Sequence, residues 1–128
     1  MSYYYAKTTG LSQDEALERV GEELKKEGFG VLTEIDVKAT LKKKMNVDFP
    51  PYAILGACNP AFAYEALKNE AMIGVMLPCN VIVRENEDGM TVVAAVDPAA
   101  SMQAVNNPAL AGIAGQVREK LQRVIDAV

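Results

Sequence analysis

The segment from Leu110 to Val128 constrains the fold more than any other, because its apolar residues Leu110, Ile113, Ala114, Val117, Leu121, Val124, Ile125 and Val128 fall on one helical face. Arg118, Lys120 and Arg123 take the opposite face, toward the negative end of the helix dipole. A helix with so wide an apolar stripe needs a matching apolar surface, and the rest of the chain supplies one as strands.

Residues Tyr3 to Thr8 alternate aromatic and polar and read as a strand. Ser12 and Glu15 form a capping box with Leu11 stapled onto Ala16, so a helix begins there. Its stripe is Ala16, Leu17, Val20 and Leu24, and Gly28 supplies the left-handed stop. From Gly30 the period becomes two through Val37, placing Glu34 and Asp36 on one side of a strand. A helical turn over Lys38 to Met45 follows, and Pro50-Pro51 forces an extended restart into Tyr52 to Ala57, apolar on both faces.

Asn59-Pro60 starts another helix, with Asn59 as N-cap and Phe62, Ala63, Ala66 and Leu67 as its stripe. The run Ile73 to Arg84 reads as one long strand broken at Pro78, turned by Asn86-Glu-Asp-Gly89 into a partner strand over Thr91 to Val96. Asp97-Pro98 starts a short helix through about Val105, and Asn106-Asn107-Pro108 ends it.

This order gives an α+β fold: one two-layer domain over residues 1–128, with a largely antiparallel five-stranded sheet and two long helices on one face. The other face is left bare. A two-fold homodimer packing sheet edges or faces is the simplest cover for it.

Composition excludes several functions. The net charge of −4 opposes a role that neutralises many phosphates, so nucleic acid is not an expected partner. Apolar runs are strand-length and fall short of the ~18 residues a membrane span requires, so no membrane partner is expected either. The start of the chain lacks a basic, unbroken apolar leader and points to the cytoplasm. There is no histidine, no Ser/His/Asp set, no phosphate loop and no dinucleotide fingerprint, and no cofactor is implied.

What remains for chemistry is a repeated dipeptide, Cys58-Asn59 and Cys79-Asn80, which holds both cysteines of the chain. In a reducing compartment these are free thiols, ligands or a transient redox pair. With Gly28-Phe-Gly-Val-Leu-Thr-Glu-Ile-Asp-Val-Lys38, Leu55-Gly-Ala-Cys-Asn-Pro60, Leu77-Pro-Cys-Asn-Val81 and Val96-Asp-Pro98 together, the chain resembles domain-of-unknown-function family 302 over nearly its whole length. That resemblance implies a β-α-β(4)-α fold like half of a TATA-binding protein, and pairing as dimers. It implies no reaction.

Cys58 and Cys79 therefore have three readings: buried small hydrophobes, reactive thiols, or metal ligands. Cys58, just ahead of a helix start, is the better nucleophile, with Cys79 as resolving partner. Metal binding lacks ligands within one chain beyond the two thiols and carboxylates such as Glu34 or Asp36, unless a dimer axis brings four cysteines together, so any metal is unassigned. If the Cys-Asn units adjoin, Asn59 and Asn80 would place two amides beside two sulfurs, suiting a small polar or sulfur-containing ligand. Glu34 and Asp36, roughly 7 Å apart by the strand rise, are a second candidate ligand-binding pair, as an acid/base pair or a cation site, or else the solvated face of an edge strand. The sequence-level reading is ligand binding or thiol chemistry at the Cys-Asn motifs, with a metal-binding or sensing module and a non-catalytic interaction homodimer as alternatives.

Overall fold

Ser12 begins the first helix as its spacing predicts: its hydroxyl accepts from the Glu15 amide at 3.2 Å and the Glu15 carboxylate accepts from the Ser12 amide at 3.1 Å. A computed structural model describes residues 2–128, and in it this helix, α1, spans Gln13–Lys26. It follows strand β1 (Tyr4–Thr9) and precedes β2 (Gly30–Asp36). Between them Gly28 has φ +85°, which a side chain would strain. The Asp36 carboxylate caps α2 (Val37–Met45) by accepting from the Ala39 amide at 2.9 Å, and left-handed Asn46 ends that helix.

Strand β3 (Tyr52–Cys58) leads directly into α3 (Pro60–Asn69). A 3-10 helix over Ala71–Met76 comes next, and β4 starts only at Cys79, running to Glu85. The long strand expected from Ile73 to Arg84 is therefore half helix. Ile73 does not continue the sheet; it is buried against Ala66 and Leu110 in a small second core, and Pro78, after a cis peptide bond, separates the two parts. Asn86 builds the hairpin turn, its side-chain oxygen accepting from the Asp88 and Met90 amides at 3.0 and 2.9 Å. Strand β5 (Thr91–Val96) follows, then α4 (Pro98–Ser101), a 3-10 turn (Met102–Ala104) and α5 (Ala109–Ala127).

The sheet order is β1-β5-β4-β3-β2, with every pairing antiparallel. Sheet residues Leu55, Ala57, Val81, Val83, Val93 and Ala95 meet α1 residues Ala16, Val20 and Leu24 and α5 residues Val117, Leu121, Val124 and Ile125. These side chains are nearly all water-free, and their burial holds α1 and α5 on one sheet face. Where the helices meet, Glu27 accepts from Arg123 at 2.9 Å, which holds its carboxyl below the ordinary range despite partial burial. Arg118 pairs with the buried Asp97 carboxylate at 3.1 Å. Among the described residues no helix is long and apolar enough to cross a membrane.

Candidate functional site

Ala57 and Cys79 are ladder partners, so the end of β3 and the start of β4 bring Cys58 and Cys79 to one corner of the sheet. Both are free thiols, half-buried, and both line a single cavity of about 290 Å³. The cavity arises because α3 leaves β3 at Asn59 and runs over the corner with small residues inward. Ala63 and Ala66 line it with Phe62 and Leu67, and Leu110, Ile113, Ala114 and Val117 of α5 form the facing wall. Leu77 and Pro78 close one end, and Phe29 and Leu32 the β2 side.

Charged side chains are missing from this lining, whose only polar side chains are the Cys58 and Cys79 thiols and the Asn59 amide. Burial pushes the Cys79 thiol up from 9.0 to about 11, and the neighbouring Cys58 adds to the rise. At neutral pH Cys79 is a protonated, poorly nucleophilic thiol.

The remaining predicted site residues separate. Asn59 occupies the N-cap position of α3 without capping it. Its amide instead donates to the Glu27 carbonyl at 3.3 Å, tying the start of α3 to the end of α1. A Cβ on Gly28 would come within 3.1 Å of that amide nitrogen, so the tie depends on glycine there. Asn80 pairs with Gly56 and lines a groove on the open sheet face with Ile82 and Arg84. It is thus across the sheet from the cavity. The two amides do not flank the two sulfurs, because consecutive strand residues point to opposite faces.

Glu34 and Asp36 share a side of β2, as their partners Leu55 and Ala53 require, yet neither lines the cavity. Asp36 is used as the α2 cap. Among the described residues no three Cys, Asp or Glu side chains gather as metal ligands. Sequence reading missed the walls: Ala63, Ala66 and Ala114 read as helix stripe, and Met102 was not singled out. The available signal was the pair of alanines on α3, too small to fill the space beneath that helix.

The sequence profile described as domain of unknown function DUF302 matches residues 5–128. The chain belongs to the DUF302 family. A crystal structure of an uncharacterized conserved DUF302 protein from Bacillus stearothermophilus is 33% identical, covers 99% of this chain and 98% of that one, and superposes with a TM-score of 0.93. No curated protein matches the chain. The DUF302 fold here is thus a five-stranded antiparallel sheet with α1 and α5 on one face, and its cysteine corner carries the cavity.

Proposed function

We propose that this DUF302 protein binds a small, predominantly apolar molecule in the cavity between α3, α5 and the sheet corner, beside the Cys58 and Cys79 thiols. The observation that carries this reading is the composition of the wall: aliphatic and aromatic side chains, two thiols and one already-bonded amide. A charged or strongly polar ligand would lose its hydration there without gaining partners. The wall therefore favours an apolar or sulfur-containing ligand over the small polar one that two flanking asparagines would suit. At about 290 Å³ the space is at the small end of ligand sites.

The test is titration with a neutral naphthylamine fluorophore, read as emission enhancement. Saturable one-to-one binding is expected, and Ala63→Phe, which fills the space from α3, weakens it about tenfold or more, the ratio that ~1.4 kcal/mol represents. Absence of saturation, or binding indifferent to Ala63→Phe, removes the proposal.

A second reading is favoured by both thiols lining the same space. In it the bound molecule is a disulfide: the Cys58 thiolate attacks one sulfur and expels the other as thiolate, that thiolate takes the proton of the Cys79 thiol, and the Cys79 sulfur then displaces the remaining group from Cys58 as a thiolate that takes up the proton Cys58 gave up. The products are two small thiols and a Cys58–Cys79 disulfide, which non-reducing peptide mapping detects. Recovery of both cysteines as free thiols after exposure to an apolar disulfide rejects it.

A further inference from the structure

The strand register sets small residues in the middle of the sheet face that lies opposite α1 and α5. Ala6 of β1 pairs with Ala94 of β5, and Ala94 pairs with Ile82 of β4. Rows on one face are two residues, ~7 Å, apart along the strands. In the row to one side Tyr4 pairs with Val96, and in the row to the other Val92 pairs with Arg84 and Arg84 with Tyr52. The result is a trough of about 500 Å³ with Ala6, Ala94 and Ile82 as its floor and tyrosines at opposite corners. Ala94 is only 6% exposed although it belongs to this face, so the side chains around it rise above it. Tyr3 extends the β1 corner: its ring meets that of Tyr4 edge-on at 5.0 Å, and its carbonyl accepts from the Asp97 amide at 2.8 Å.

Among the described residues, Arg84 is the one charged side chain lining this trough, in a chain whose net charge is −4. Its own contacts are loose. Nη1 donates to the Glu85 carbonyl at 3.4 Å and lies 3.9 Å from the exposed Glu87 carboxylate. Arg118 and Arg123, by contrast, hold Asp97 and Glu27 at 3.1 and 2.9 Å, although their side chains are 50% and 55% exposed against 32% for Arg84. Both Arg84 contacts use Nη1, which leaves the Nε and Nη2 side of the guanidinium fork for a bidentate anion. Partial burial strengthens such a pair relative to one in open solvent.

We propose that this trough binds a flat aromatic monocarboxylate, its carboxylate on Arg84 and its ring on the floor of Ala94 and Ile82. One guanidinium balances one negative charge, whereas a doubly charged phosphate ester would find no second cation in the lining. A sheet floor of short side chains is broad and flat, which suits a ring laid along it, and the tyrosines at the corners supply aromatic contacts at its rim. Asn80, on the far side of Ile82 from Arg84 along β4, offers an amide to a polar substituent on the ring. The site does not rest on the cavity beside the thiols, with which it shares no lining residue.

Fluorescence titration of the full chain with 2-naphthoate tests this, with 2-naphthamide as the uncharged match. Saturable one-to-one binding of 2-naphthoate is expected, with 2-naphthamide about tenfold weaker or more. Arg84→Gln is expected to weaken 2-naphthoate by a similar factor, about tenfold or more, because the charge-assisted bidentate pair is lost. Ala6→Leu, at an exposed position of β1, raises the floor and weakens 2-naphthoate too, with an unchanged circular dichroism spectrum. Ala63→Phe leaves 2-naphthoate binding as in the wild type, and Arg84→Gln leaves binding of the neutral naphthylamine as in the wild type, so failure at one site is not failure at the other. Non-saturable binding, equal affinity for the amide, indifference to Arg84→Gln or Ala6→Leu, or sensitivity to Ala63→Phe overturns the proposal. An affinity that falls as protein concentration rises assigns the face to a second copy of the chain and overturns it as well.

Discussion

Cys79 and Asn80 are neighbours in sequence and belong to opposite faces of the sheet, the first lining the apolar cavity and the second the open groove. A dipeptide motif therefore marks two surfaces, and only its cysteine half assembles with Cys58. Period-two alternation contains that separation, and it was legible once Cys79-Asn80 was placed on a strand. The cavity site of Cys79 has a chemical consequence, since its thiol is held neutral up to about pH 11. Iodoacetamide at pH 8 is expected to modify Cys58 well before Cys79, read by peptide mass spectrometry over time. The stability consequence has a definite sign. In the unfolded chain the thiol ionises near 9.0, whereas in the fold it ionises near 11. Its contribution is thus complete below pH 9 and disappears as pH rises toward 11. Replacing it by Cys79→Ala is expected to flatten the alkaline decline in urea-unfolding midpoint over that interval; an unchanged slope contradicts the assignment.

At the scale of elements, legibility follows how local the determining contacts are. The Ser12–Glu15 capping box, the left-handed Gly28, the Asn86–Gly89 turn and the Asp97-Pro98 helix start each depend on residues within four positions, and each forms as its sequence indicates. The strand expected over Ile73 to Arg84 fails in its first half. An unbroken apolar run has no period, so nothing local separates strand from helix in Ala71–Met76; burial of Ile73 beneath Leu110 decides it. Strand order is equally non-local: β1 pairs with β5, at the far end of the chain. The α3 walls of the cavity were visible as a stripe, but the gap they leave depends on α5 crossing opposite. A local device also allows a local prediction. Ser12→Ala removes the hydroxyl that accepts from Glu15 and is expected to cost about 1 kcal/mol in urea unfolding. A loss below a few tenths would mean that packing of Ala16, Val20 and Leu24 alone sets the helix start.

For the whole molecule, the cavity and the stability of the fold are in tension. A sealed apolar void of about 290 Å³ would cost roughly 7 kcal/mol at ~24 cal/mol per Å³, comparable to the whole stability of a domain this size. Leu32 and Leu67, both lining the cavity and exposed, open it to water instead, so the cost takes the form of apolar wall facing solvent. Anything that covers the wall then stabilises the fold. A ligand at a hundredfold excess over its Kd adds about 2.7 kcal/mol, on the order of 10 °C in Tm at this chain length. Ala63→Phe covers the same wall with the protein's own side chain. It is expected to raise the Tm of the ligand-free protein by a few degrees while erasing most of the ligand-induced rise. Differential scanning calorimetry with and without the naphthylamine fluorophore measures both shifts on one pair of proteins. If Ala63→Phe lowers the ligand-free Tm, the added ring has strained the packing of α3 against α5 rather than filled open space. The cavity would then be too closely packed to admit a ligand.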